Sequence, residues 1–86
     1  MSKAIESRKV GIVGCGFVGS ASAFSIMRSG LFSRMVLIDV DRDRAEVEAL
    51  DIGHGVPLSH PMEIKAGDYS DLADASVVVV TAGAGQ

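Results

Sequence analysis

Tryptophan is missing from this 86-residue sequence, tyrosine and cysteine each occur once, and proline occurs twice. A single cysteine, Cys15, rules out an internal disulfide framework and fits a reducing compartment. Clustered positive charge is missing as well. Eight Lys and Arg stand scattered among eleven Asp and Glu, for a formal net charge of -3, so the electrostatic footprint of a nucleic-acid or anionic-membrane binder is not there. No apolar run approaches the roughly 20 residues of a membrane span. The opening Met1-Ser2-Lys3-Ala4-Ile5-Glu6-Ser7-Arg8-Lys9 holds no apolar signal core. These absences favour a cytoplasmic protein without nucleic-acid or membrane partners.

What is present is globular in composition, 48% hydrophobic and 22% charged. A chain of this length makes at most one small domain and buries only about 60 to 65% of its unfolded surface, which points to a piece of something larger.

Lys9 to Val13 is a short β-branched apolar run entering Gly14, the pattern of a buried strand that ends in a tight turn. From Val18 to Ser29, Gly19, Ala23, Ile26, Met27 and Gly30 recur at helical spacing, and Gly30 ends the helix. Met35 to Ile38 is a second strand. Asp41 is placed to cap a helix over Arg42 to Ile52, with Ala45, Ala49 and Ile52 inward, Arg42–Glu46 and Arg44–Glu48 as solvated pairs, and Gly53, Gly55 and Pro57 as its stop. Glu63 to Ala66 alternates as a weaker strand, Asp68 to Ala73 is a polar connection with about one helical turn, and Val77 to Thr81 is a strongly apolar strand. The order β-α-β-α-β-β implies an α/β fold, the first half of a Rossmann-type, doubly wound parallel sheet with strand order 3-2-1-4, cut short before its second half. Val77 to Val80 is then an apolar edge prone to concentration-dependent association.

Gly14-Cys15-Gly16-Phe17-Val18-Gly19 is a G-x-G-x-x-G string set between a strand and a helix, and that context gives it meaning. Gly14 allows the turn, Gly16 lets a pyrophosphate approach the backbone, Gly19 lets helix and strand pack closely, and the helix amino terminus offers N–H groups to phosphate. Asp39 ends the second strand about 20 residues past Gly19, where a carboxylate accepts both hydroxyls of an adenosine ribose. It repels a 2′-phosphate, and Val40 follows it rather than an arginine. NAD is therefore the expected cofactor, ahead of NADP. The plain alternatives are a compact glycine turn and a solvated strand-end acid.

Lys9 to Gly19, Val36 to Asp39, Arg44-Ala45, Asp51-Ile52-Gly53-His54-Gly55, Gly67-Asp68-Tyr69 and Thr81-Ala82-Gly83-Ala84-Gly85-Gln86 together resemble the bacterial L-lactate dehydrogenases of the lactate/malate dehydrogenase family. The likeness covers the chain from Lys9 onward and leaves residues 1–8 as an amino-terminal extension. It implies that residues 9–86 are a partial NAD-binding domain, with a substrate and catalytic domain beyond it. It assigns cofactor contacts to Gly14, Gly16, Phe17, Val18 and Gly19 at the turn, to Asp39, Arg44 and Tyr69 toward the adenosine end, and to Thr81, Ala82, Gly83 and Ala84 toward the nicotinamide. Gln86 stands where a neutral side chain accompanies lactate and pyruvate, while arginine would pair the second carboxylate of malate.

The resemblance further implies hydride transfer between lactate and NAD, a role in glycolysis and fermentation, and a homotetrameric parent. The catalytic histidine, its aspartate and the two arginines would lie past Gln86, so the 86-residue chain alone is expected to be inactive. A malate or other 2-hydroxy acid dehydrogenase, and a non-catalytic NAD-sensing module, remain as alternatives. Cys15 reads as a small buried thiol rather than a nucleophile. His54 and His60 have no partner at metal-ligand spacing, and Asp39, Asp41 and Asp43 lack the glycine and distal glutamate of a cation loop.

Overall fold

The computed structural model describes residues 8–57 and 61–81. They form β1 (Lys9–Val13), α1 (Phe17–Ser29), β2 (Arg34–Ile38), α2 (Arg42–His54), β3 (Glu63–Ala66), a 3₁₀ turn (Tyr69–Leu72) and β4 (Val77–Val80). The sheet runs β3-β2-β1-β4, with every pairing parallel. The chain thus winds outward from β1 through β2 to β3 and then returns to the other side of β1, the expected 3-2-1-4 order.

β1 and β2 are continuous apolar runs because both of their faces are covered, as parallel strands require. Register places Val10 opposite Met35 and Ile12 opposite Leu37, and these four pack with Ala23 and Met27 of α1 and Ala45 and Ile52 of α2 in one core. The alternate residues turn the other way. On that face the space above Gly11 is taken by Leu72 and Val36, so the 3₁₀ turn roofs the side the helices leave open. β4 is different: Val79 packs partly against the core, but Val77, Val78 and Val80 are exposed. The expected apolar edge is there.

Local chemistry accounts for the helix ends. Asp41 caps α2, its carboxylate accepting from the Arg44 backbone N–H at 3.3 Å, and Gly30 ends α1 in the left-handed region at φ 72°. α1 and β2 each begin one residue earlier than the sequence pattern suggests and β4 ends one residue sooner, and two larger details differ. α2 continues through Gly53 to His54, because a helical glycine costs only about 1 kcal/mol while fully buried Ile52 anchors the last turn. The helix stops at Gly55, whose N–H bonds Ile52 O at 3.0 Å. Arg42 and Glu46 do pair at 3.4 Å, but Glu48 turns away from Arg44 to accept the Ser20 hydroxyl, tying α2 to α1. No helix among the described residues is long and apolar enough to cross a membrane.

Candidate functional site

The turn after β1 is where a backbone needs glycine. Gly14 holds φ +100°, and a Cβ on it would come within 2.5 Å of Thr81 Oγ1 and 2.8 Å of Thr81 O. Its N–H donates to Ile38 O at 2.7 Å, which stitches the turn to the end of β2. Behind it, a Cβ on Gly19 would lie 1.8 Å from Gly14 O, so α1 sits against the turn with no room for a side chain. Thr81 completes the knot from the β4 side, its hydroxyl reaching Val13 O at 3.2 Å and Gly14 O at 3.1 Å. α1 itself begins at Gly16 without a side-chain cap, leaving its first N–H groups open to an anion.

Asp39 is held in place by two backbone donors, Cys15 N–H to Oδ2 at 2.7 Å and Asp41 N–H to Oδ1 at 2.9 Å. The Asp41 N–H chiefly holds its carboxyl below the usual carboxylate range; partial burial opposes this, and the Cys15 N–H and the Arg44 charge reinforce it. The group is ionised near neutral pH, and each oxygen keeps lone-pair capacity for a further donor. Cys15 goes the other way. Burial first, then the Asp39 and Glu48 charges, push its thiol up to about 11 against the opposing charge of Arg44. It is a packed thiol and no nucleophile.

Around these groups opens a cleft of about 390 Å³ lined by Val13, Gly14, Gly16, Asp39, Val40, Asp41, Arg44, Tyr69, Val80 and Thr81. It lies outside the carboxyl ends of β1, β2 and β4, where strand order reverses about β1, the general ligand position of open α/β sheets.

Six residues singled out from the sequence meet there: Gly14, Gly16, Asp39, Arg44, Tyr69 and Thr81. Gly19 acts from behind by letting the helix approach. Phe17 and Val18 do not line the cleft; they stand exposed beside a separate shallow depression with Ala21, Ser22, Ser25, Ile26 and Val79. The reason is helical geometry, since the side chains that follow the N-cap fan outward while the backbone N–H groups face the turn. Ala82, Gly83, Ala84 and Gln86 lie outside the described residues, as does His60. Val13 and Val80 are cleft residues the sequence did not single out, while Val40 and Asp41, noted there beside Asp39 and as a helix cap, also line it. The signal for Val13 and Val80 was their place as last residues of parallel strands beside the switch point.

Among the described residues no group of three or more His, Cys, Asp and Glu is arranged to hold a metal ion. Asp39 and Asp41 instead accept hydrogen bonds from backbone N–H groups.

A family model described as lactate/malate dehydrogenase, NAD binding domain, matches residues 8–86. The chain is similar to an L-lactate dehydrogenase of Priestia megaterium, 53% identical over 81 residues that make up 94% of this chain and 26% of that one. Among solved structures it is similar to a lactate dehydrogenase from a Medee basin deep-sea metagenome library, with a TM-score of 0.83 at 46% identity over 93% of this chain and 26% of that one. It is also similar to a lactate dehydrogenase from Eimeria maxima solved with NADH and oxamate, with a TM-score of 0.80 at 28% identity over 93% of this chain and 25% of that one. The chain spans about a quarter of the length of the relatives it matches.

Proposed function

Since the chain belongs to the lactate/malate dehydrogenase family, through its NAD-binding domain, we propose that it is the cofactor-binding portion of an L-lactate dehydrogenase that interconverts lactate and pyruvate. On this reading residues 9–86 are the first part of the NAD-binding domain and residues 1–8 an extension. The parent works as a homotetramer in the cytoplasm, in glycolytic and fermentative lactate metabolism, and the lone buried Cys15 suits that compartment.

The residues present fit a dinucleotide. Gly14 takes the positive φ that lets the turn close against Thr81, and the uncapped start of α1 beyond Gly16 is a cradle of N–H groups for the pyrophosphate. The fixed, ionised Asp39 receives the adenosine ribose hydroxyls and turns away a 2′-phosphate. Arg44 and Tyr69 flank the adenosine side, Thr81 pins the turn, and by the family resemblance Ala82, Gly83 and Ala84 contact the nicotinamide side of the cofactor. Phe17 and Val18 contribute through their backbone at the start of α1. Gln86 suits a substrate with one carboxylate, because its amide offers no charge to a second. When bound, NAD supplies the acceptor for the hydride that leaves C2 of the hydroxy acid.

One observation carries the reading: the carboxylate of Asp39 is anchored to the glycine turn through the Cys15 N–H at 2.7 Å, so ribose and pyrophosphate sites form a single rigid unit. Calorimetric titration of wild type and Asp39→Asn with NAD tests it. Hydrogen bonds to a charged group contribute about 1.5 to 3 kcal/mol, so the variant is expected to bind NAD about 10- to 100-fold more weakly. Equal affinity in the two proteins would overturn the assignment.

A further inference from the structure

The segment that carries the chain from β3 to β4 bears three acids, and each is tied to a cation from another element. Asp68 accepts from Arg42 of α2 at 3.2 Å, Asp71 pairs with Lys65 of β3 at 3.7 Å, and Asp74 pairs with Lys9 of β1 at 2.8 Å and Arg34 of β2 at 3.5 Å. Tyr69 rides on this strap and forms part of the cleft wall. It is 63% exposed, so its backbone, rather than packing of the ring, decides where the ring stands.

Asp71 fixes that backbone from outside the cleft. Its Oδ2 accepts the Asp68 N–H at 2.8 Å, and its own N–H donates to Asp68 O at 2.8 Å, which closes a ring across Tyr69 and Ser70. Room for the carboxylate comes from Gly67, where a Cβ would lie 2.4 Å from Asp71 Oδ2. We propose that Asp71 is a positioning residue: it holds Tyr69 in the cleft wall, so that adenosine binding depends on a carboxylate the nucleotide never touches. The ligand half of this claim rests on the NAD reading above; the half that concerns Tyr69 does not.

The sequence supplies its own probe. Tyr69 is the only tyrosine and there is no tryptophan, so tyrosine emission reports this wall alone. In Asp71→Ala without ligand, the anisotropy of that emission is expected to fall and its quenching by acrylamide to rise. If the competent placement of Tyr69 drops to about a tenth of the population, apparent affinity for NAD and AMP weakens about 10-fold, while nicotinamide mononucleotide, which lacks adenosine, binds as before. Asp71→Asn keeps an oxygen for the Asp68 N–H and should stay within about 3-fold of wild type. Lys65→Met frees only the ion-pair side of the carboxylate; it gives a smaller change in the same direction and decides the matter if the alanine variant does not fold.

Unchanged anisotropy in folded Asp71→Ala, or in Lys65→Met where the alanine variant does not fold, would overturn the proposal, as would equal weakening of AMP and nicotinamide mononucleotide. If wild type binds neither NAD nor AMP, the cofactor reading falls, and the ligand-free anisotropy still decides the role of Asp71.

Discussion

β2 and β4 flank the same strand and each carries four consecutive apolar residues, yet they end up in opposite environments. Met35, Val36 and Leu37 of β2 are at most 1% exposed, whereas Val77, Val78 and Val80 of β4 are 42 to 64% exposed. The difference arises from what lies on each strand. β2 has β3 beyond it, helices on one face and the 3₁₀ turn near the other; among the described residues β4 pairs with β1 alone and has little above it. Hydrophobic sequence makes a strand, but neighbouring elements decide how much stability that strand contributes. Each of the two also ends in one wall of the cleft, Asp39 after β2 and Thr81 after β4. Among the described residues, one wall of the cleft therefore stands on a closed core and the other on a strand paired only with β1.

The contrast can be broken most directly by truncation. Leu37→Ala on the β2 side is expected to cost about 3 kcal/mol, enough to unfold much of an 86-residue chain, while Val78→Ala on β4 should cost no more than about 1 kcal/mol. Urea unfolding of both variants checks this, and similar losses would dissolve the distinction. Next in size is Gly19→Ala, which drives a methyl into Gly14 O. A loss of about 2 kcal/mol or more is expected, together with NAD binding, because the turn both walls share is displaced.

Acid sharpens the comparison by a smaller effect. Asp39, Asp71 and Asp74 all have folded pKa values below the ordinary 3.8. Their contribution to stability is thus fully present above the unfolded value and is lost as pH falls from there through the folded one. Asp74, held down chiefly by its hydrogen bond from Lys9, precedes β4, so hydrogen exchange at decreasing pH should release the β4 amides before those of β2. Simultaneous release would count against separate walls. Smallest of all, Val78→Lys should change stability by no more than about 0.5 kcal/mol and suppress any concentration-dependent association at the edge, which sedimentation velocity would register.

Strand order and the meeting of Gly14, Gly16 and Asp39 were legible in the sequence because each rests on a local rule: a β-branched run, a glycine string between strand and helix, an acid at a set distance. Most boundaries lay within one residue of the observed ones, and the larger miss came where tertiary packing overrode local preference, as buried Ile52 carried α2 through Gly53. What could not be read is the work of side chains distant in sequence. Glu48 looked like a partner for Arg44 and is bound by Ser20, 28 positions away; Lys9 was read only as the start of an apolar strand, and its buried ammonium pairs with exposed Asp74, 65 positions away. Thr81 carried a family resemblance but no sign that its hydroxyl would close the glycine turn. Phe17 and Val18 belong to the right motif, yet their side chains point away from the cleft it makes.

The most direct test is to follow backbone amide signals of the ¹⁵N-labelled protein by NMR while NAD is added. The largest shifts are expected at Gly14, Cys15, Gly16, Val40 and Tyr69, with the amino end of the sheet around Lys9 and Arg34 unmoved. Shifts centred on that amino end, or none at all at millimolar NAD, would contradict a dinucleotide site at the carboxyl ends of β1, β2 and β4.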